Sequence, residues 1–129
     1  MKLNLLTTMP LMMFCFFACE QEEISKEVSV DDLNQMKADI LTLAQSRPCT
    51  DDTDWQPYPL GSKPCGGPAE YFAYHVSVDT SKLFAMVANY NEAHKSYNEQ
   101  NKIGSDCSLT QQPSGVACKQ NAPVLLYNQ

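Results

Sequence analysis

Apolar residues first recur at helical spacing between residues 31 and 47. The stripe steps by three and four positions, as one face of an amphipathic helix does, and it consists of Leu33, Met36, Ile40, Leu43 and Ala44. Asp31 or Asp32 is predicted to cap this helix, because a carboxylate there accepts free backbone N–H groups. The helix should end at Arg47, since the residue before Pro48 avoids helical backbone angles.

A period of two replaces the helical period at residues 70–78. Alternate positions carry aromatic and β-branched side chains, which predicts a β-strand, and the apolar face consists of Phe72, Tyr74, Val76 and Val78. Tyr71, Ala73 and His75 fall on the opposite face. We expect that face to be turned towards solvent.

A second, longer helix follows the strand. Asp79, Thr80 or Ser81 is predicted to cap it, and its stripe comprises Leu83, Val87, Tyr90, His94 and Tyr97. Gly104 stands where a left-handed residue commonly ends a helix. The sequence therefore predicts a helix that runs from about residue 80 to just before Gly104.

The segment 49–68 shows neither the helical period nor the period of two, and it contains four prolines and three glycines. It is predicted to be a loop, and loops of this length are usually either functional or without structure. Trp55, Tyr58 and Leu60 form a possible binding loop, because proline-stiffened aromatic residues lose little entropy when they dock a partner. The alternative is that these side chains fold back over a small core.

The C-terminal part is predicted to form a hairpin and a short strand. A turn is expected at Pro113-Ser114-Gly115, and Val124–Tyr127 is a final apolar run. Together the segments predict an α+β fold in which two helices pack on a small antiparallel sheet.

The N-terminus has a different pattern, with Lys2 followed by a mostly apolar run from Leu3 to Ala18. A spanning helix needs about 20 apolar residues, whereas the core of a signal peptide needs only about 7–15. Ordinary secretory cleavage after Ala18 would place the bulky Phe16 where a small residue is preferred. This type of cleavage therefore does not account for the small residue, Ala18, directly before Cys19.

Phe16-Phe17-Ala18-Cys19 resembles the lipobox of bacterial lipoprotein precursors, although leucine is usual at the position of Phe16. The resemblance implies cleavage before Cys19, a diacylglyceryl thioether on its sulfur and acylation of its new N-terminus. Several acyl chains anchor a protein firmly, since each buried methylene contributes about 0.8 kcal/mol. Gln21-Glu22-Glu23 also resembles the acidic signals of some surface-exposed Bacteroidetes lipoproteins.

These features predict three parts of the chain. Residues 1–18 are a signal peptide, residues 19–30 are a lipidated N-terminus with a flexible acidic tether, and residues 31–129 are a small domain. The predicted location is the bacterial cell envelope, with the membrane bound through the Cys19 lipid. The protein would lie at the outer membrane, facing the periplasm or the cell surface.

The net charge of the whole chain is −6. The predicted signal peptide carries Lys2 and no acidic residue, so its removal leaves 8 basic and 15 acidic residues and a net charge of −7. Nucleic acid is therefore disfavoured as a partner, because phosphate binding needs clustered Lys and Arg.

Four cysteines remain in the predicted domain: Cys49, Cys65, Cys107 and Cys118. An even number in an exported chain predicts disulfides, with three possible connectivities. Sequential pairing, Cys49–Cys65 and Cys107–Cys118, is preferred because it closes two local loops. No C-x-x-C pair is present, so a zinc site is not predicted. No glycine-rich phosphate cradle or dinucleotide-binding motif is present either, so no cofactor is predicted.

The sequence offers few candidates for catalytic residues, and its two histidines are His75 and His94. His94 belongs to the apolar stripe and is expected to be a core or boundary residue, and His75 is expected to face solvent. The favoured hypothesis is a non-catalytic module that binds a protein, peptide or glycan. The alternatives are a small hydrolase that uses His75 with Asp51 or Asp54, and a structural envelope spacer. Asp52 completes a group of three nearby carboxylates that is expected to be a solvated acidic loop, since the EF-hand pattern is not met.

Overall fold

The structure is a computed structural model and describes residues 27–128. The predicted signal peptide, Cys19 and most of the tether lie outside the described residues. The helices are α1 (Val30–Ala44) and α2 (Thr80–Gln100), and the strands are β1 (Trp55–Leu60), β2 (Glu70–His75), β3 (Gly115–Lys119) and β4 (Ala122–Leu126). The predicted α+β class is confirmed. No helix among residues 27–128 has the length and apolar character needed to cross a bilayer.

Helix α1 starts slightly earlier than predicted. Ser29 is the capping residue, and its hydroxyl accepts a hydrogen bond from the Asp32 backbone N–H at 3.1 Å. The Asp32 carboxylate accepts the Ser29 backbone N–H in return, at 3.1 Å. Both contacts together form a capping box, so Asp32 assists the cap but does not provide it. Because Val28 also packs against the core, the folded domain includes the end of the predicted tether.

Helix α2 is capped by Asp79, as predicted among three candidates, but it does not end at Gly104. Lys102 adopts the left-handed conformation with φ of 51°. Its backbone N–H donates to the Glu99 carbonyl at 3.3 Å, and the Ile103 N–H donates to the Asn98 carbonyl at 2.9 Å. This pair of bonds is a Schellman motif. The expectation for Gly104 was wrong because the motif places its left-handed residue two positions earlier.

The predicted loop 49–68 contains strand β1, which pairs antiparallel with β2. The Asp54 carbonyl accepts the N–H of Val76, just after β2, at 2.8 Å, and the Leu60 carbonyl accepts the N–H of Ala69, just before β2, at 3.1 Å. Even-numbered positions of β1 therefore turn their backbone polar groups towards β2. Pro57 and Pro59 therefore place their missing N–H on the outer edge, where a strand tolerates proline. The loop prediction was wrong because proline is compatible with the free edge of a strand as well as with irregular structure.

The two faces of the β1–β2 hairpin contribute to two cores. The first core lies against the helices and consists of Leu33, Ile40, Ala44, Leu60, Phe72, Leu83, Val87 and Tyr90. The second lies against the β3–β4 hairpin and consists of Cys49, Trp55, Ala73 and Val116. Both faces of β2 are thus covered, which corrects the expectation that the face with His75 is turned to solvent.

The second hairpin, β3–β4, turns at Gln120-Asn121 and not at Pro113-Ser114-Gly115. Both turn residues have positive φ, 51° and 61°, as a two-residue type I′ turn requires. β3 begins only at Gly115, and Lys119 pairs with Ala122 across the turn. Pro113 and Ser114 directly precede the hairpin. The turn itself consists of Gln120 and Asn121, neither of which is a glycine or a proline.

Two nested disulfides, Cys49–Cys118 and Cys65–Cys107, join distant parts of the chain. Disulfide formation is as predicted, but the preferred sequential pairing is wrong. A six-residue strand is about 20 Å long, and β1 lies between Cys49 and Cys65. A disulfide needs Cα atoms within about 7 Å, so the strand keeps these two cysteines apart. In both observed bridges the Cα atoms are 5.3 Å apart.

Candidate functional site

The residues of the possible binding loop are mainly core residues. Trp55 is 3% exposed and Leu60 is 0% exposed, and they contribute to the two different cores. Tyr58 is half-buried and stacks on Phe84 with ring centroids 4.4 Å apart. Alternation along β1 directs Tyr58 and Leu60 to the helices and Trp55 to the second hairpin. These side chains therefore close the cores and do not present a protruding contact surface.

The three nearby carboxylates serve three separate contacts. Asp51 accepts hydrogen bonds from the hydroxyl and the backbone N–H of Thr53, at 2.7 and 2.9 Å, and these bonds lower the pKa of the Asp51 carboxyl. Asp52 accepts the Cys118 backbone N–H at 2.6 Å. Within residues 27–128 no three potential metal ligands of the His, Cys, Asp or Glu type converge.

Asp54 is the carboxylate that lies near His75. Asp54 Oδ2 is 3.8 Å from His75 Nε2, and the imidazole also contacts Trp55, with ring centroids 5.2 Å apart. His75 Nδ1 accepts the Ser77 backbone N–H at 3.1 Å, and the Ser77 hydroxyl lies 2.9 Å from the same nitrogen. A serine, a histidine and an aspartate are thus close together. The backbone contact also fixes the turn that follows β2, which is a structural role.

A hollow lies between the C-terminal half of α2 and the loop that joins β1 to β2. We call it the lysine cavity. Its volume is about 550 Å³, which is within the range of small-molecule sites. Its charged and polar lining residues are Ser62, Lys63, Lys95, Asn98, Glu99 and Lys102.

Side chains of α2 fix the loop wall of the lysine cavity. Asn91 Oδ1 accepts the Gly61 N–H at 2.7 Å, and His94 Nδ1 accepts the Ser62 N–H at 3.2 Å. Asn98 Nδ2 donates to the Ser62 carbonyl at 2.7 Å, and Asn98 itself is only 8% exposed. Both backbone polar groups of Ser62 are therefore satisfied by one helix face, which holds this wall in place.

The far side of the same loop is held by residues that follow α2. Lys63 Nζ donates to the Ser108 carbonyl at 2.5 Å and to Asp106 Oδ1 at 3.3 Å. Hydrogen bonds from the backbone and hydroxyl of Ser108, and then the contact with Lys63, lower the pKa of the Asp106 carboxyl. The Cys65–Cys107 disulfide joins the same two segments covalently.

The charge of the lysine cavity is unusual for this chain. Three of the nine Lys and Arg residues in an acidic protein line one hollow. Lys63 is paired with Asp106, whereas Lys95 and Lys102 have no carboxylate within 4.0 Å in the part of the chain described. Within residues 27–128 the cavity therefore offers two ammonium groups that form no ion pair, beside a wall fixed by hydrogen bonds.

Acidification should loosen this wall. Burial lowers the pKa of His94 below its ordinary value of 6.5; the nearby Lys37 acts in the same direction, and Glu70 opposes them. His94 accepts the Ser62 N–H only while Nδ1 is unprotonated. Because the unfolded chain takes up this proton at a higher pH, the free energy of unfolding should fall as the pH drops from 6.5 through the lowered pKa. Urea denaturation at about pH 7.5 and about pH 5 measures this loss.

The control is His94→Gln, which removes the titrating group. Its stability at the higher pH should be lower than that of the wild type, but its further loss on acidification should be smaller. An equal loss in both proteins would show that His94 protonation does not destabilise the loop.

Sequence reasoning placed His94 at the boundary of the apolar stripe but missed its contact with the loop. The available signal was a second row on α2, Asn91, His94 and Asn98, at helical spacings of three and four. Asparagine is not a favoured residue inside a helix, so this row indicates side chains that hydrogen-bond elsewhere.

No protein-family model matches the chain, and no significant match is found among curated proteins or solved structures.

Proposed function

We propose that this protein is a lipid-anchored module of the bacterial cell envelope that binds a ligand in the lysine cavity and does not act as an enzyme. The binding role rests on one observation. The cavity combines Lys95 and Lys102, which form no ion pair within residues 27–128, with a wall that is already fixed by hydrogen bonds and a disulfide. A site that is ordered before binding loses less entropy when the ligand enters.

The envelope location is supported by two features of different parts of the chain. All four cysteines among residues 27–128 are paired in disulfides, and such bonds persist mainly in oxidising compartments outside the cytosol. The resemblance of Phe16-Phe17-Ala18-Cys19 to a lipobox adds the anchor. The acidic surface would then be held near the membrane by lipid and not by charge.

The replacement Cys19→Ser should abolish fatty-acid labelling and release the protein from the membrane fraction. The reason is that the thioether forms on the Cys19 sulfur in proteins with this motif. Metabolic labelling with palmitate and membrane fractionation measure both effects. Cys15→Ser is the matched control, because Phe14 before Cys15 is too large for the lipobox. Continued lipidation of the Cys19→Ser protein would refute the anchor.

A hydrolase is the second candidate function, and one observation favours it. The Ser77 hydroxyl lies 2.9 Å from His75 Nδ1, and Asp54 lies 3.8 Å from the other ring nitrogen. These distances approach those of a nucleophile, a base and an orienting acid. A fluorophosphonate probe that labels wild-type protein but not Ser77→Ala would support this function. Absence of labelling in the folded wild type would contradict it.

A further inference from the structure

We propose that the lysine cavity takes a small organic ligand bearing phosphate or carboxylate groups, which Lys95 and Lys102 bind directly. This inference rests on the proposed function only in placing the ligand in that cavity. Ammonium groups form charge-assisted hydrogen bonds with such oxygens. Neither lysine has a carboxylate within 4.0 Å among residues 27–128, and the acidic side chain that shares the cavity lining with them is Glu99.

The cavity lining brings the two lysines to one ligand. Lys95, Asn98 and Glu99 lie near the C-terminal end of α2, and Lys102 follows two residues after the helix ends at Gln100. Because both side chains line the same cavity, their ammonium groups can approach one compact ligand. The lining between them includes the Glu99 carboxylate, which can accept a hydrogen bond from a ligand hydroxyl.

Lys102 occupies a backbone position that favours glycine. Its φ of 51° is in the left-handed region, at the position of the Schellman motif where glycine is the usual residue. A side chain there is strained, yet Lys102 lines the cavity and has no carboxylate within 4.0 Å among residues 27–128. Strained residues that reduce stability are typically retained at functional sites, so the strain at Lys102 supports a binding role for its side chain.

Lys63 has a different role in the same cavity. Its ammonium group is committed to Asp106 and to the Ser108 carbonyl, so it joins the two cavity segments. We assign it to positioning the wall and not to direct ligand binding. The two direct contacts then come from α2 and its end, and the opposite wall is the loop that α2 itself holds.

The test is calorimetric titration of the purified full chain with inorganic phosphate and, separately, with succinate at constant ionic strength. The wild type should bind at least one of the two. Binding of phosphate alone indicates a phosphate-bearing ligand, and binding of succinate alone indicates a carboxylate-bearing one. Lys95→Gln and Lys102→Gly should each weaken binding about tenfold, because each removes one charge-assisted contact.

Lys102→Gly provides a signature that a purely structural role would not. Glycine relieves the left-handed strain, so the Tm of this variant should rise by a few degrees while its affinity falls. Lys102→Arg should keep the affinity, and Lys119→Gln, on the second hairpin, is the matched charge control. Full affinity in Lys102→Gly, an equal loss in Lys119→Gln, or binding of neither probe would overturn the proposal. The palmitate experiment would be unaffected by any of these results.

Discussion

Replacement of Gly61 by alanine should destabilise the protein by about 3 kcal/mol, from left-handed strain together with overpacking. Gly61 has a φ of +78°, and an added Cβ would lie 2.7 Å from His94 Nδ1 and 2.9 Å from Ala69 Cβ. The imidazole would have to move, and its hydrogen bond with the Ser62 N–H would be lost. Chemical denaturation of the purified variant measures the change in the free energy of unfolding.

Two other glycines separate steric contact from backbone strain. Gly66 has a φ of +95° but open space where an added methyl group would lie, so Gly66→Ala should cost only the strain, about 1–2 kcal/mol. Gly104 has neither constraint, and Gly104→Ala should change stability by less than about 0.5 kcal/mol. A Gly61→Ala variant as stable as Gly104→Ala would show that α2 does not hold the loop as described.

Removal of the Cys49–Cys118 disulfide by a double replacement with alanine should reduce stability by about 4 kcal/mol. The bridge spans a sequence separation of 69 residues, and restriction of so long a loop in the unfolded chain accounts for most of this value. Cys49 is also buried in the second core beside Trp55, so its sulfur contributes packing. The total free energy of unfolding of a small domain is only about 5–15 kcal/mol, so this loss is a large part of it. Urea denaturation without reductant measures the loss.

The matched comparison is the double alanine variant of Cys65 and Cys107. Both of these cysteines are exposed and their separation is 42 residues, so the loss should be smaller than for the buried bridge. This variant should nevertheless loosen the lysine cavity, because the bridge holds one of its walls. A larger loss here than for Cys49 and Cys118 would contradict the assignment of the second core.

The elements with strong periodicity were predictable because each forms one continuous amphipathic surface. α1 and α2 present apolar stripes to one core, and β2 alternates as a strand with neighbours should. β1 was not predictable in this way, because its residues serve two cores and its prolines lie on an outer edge. Local pattern carries no information about which edge of a strand is free.

The disulfide pairing and the lysine cavity depend on tertiary structure. Cys49 meets Cys118 only because the second hairpin covers β1 and β2. Lys63 lies far from Lys95 and Lys102 in sequence, and they share a cavity because α2 binds the backbone of Gly61 and Ser62. The asparagine row on α2 is the part of this arrangement that sequence could have indicated.

The most direct test is disulfide mapping by mass spectrometry of protein isolated from the envelope under non-reducing conditions. An aspartate-specific protease can separate Cys49 from Cys65, and chymotrypsin can separate Cys107 from Cys118 at Leu109, which is 93% exposed. The expected products are peptides linked as Cys49–Cys118 and Cys65–Cys107, together with an acylated N-terminal peptide that begins at Cys19. Sequential links, or free thiols in a chain that still begins at Met1, would contradict the exported, disulfide-held domain.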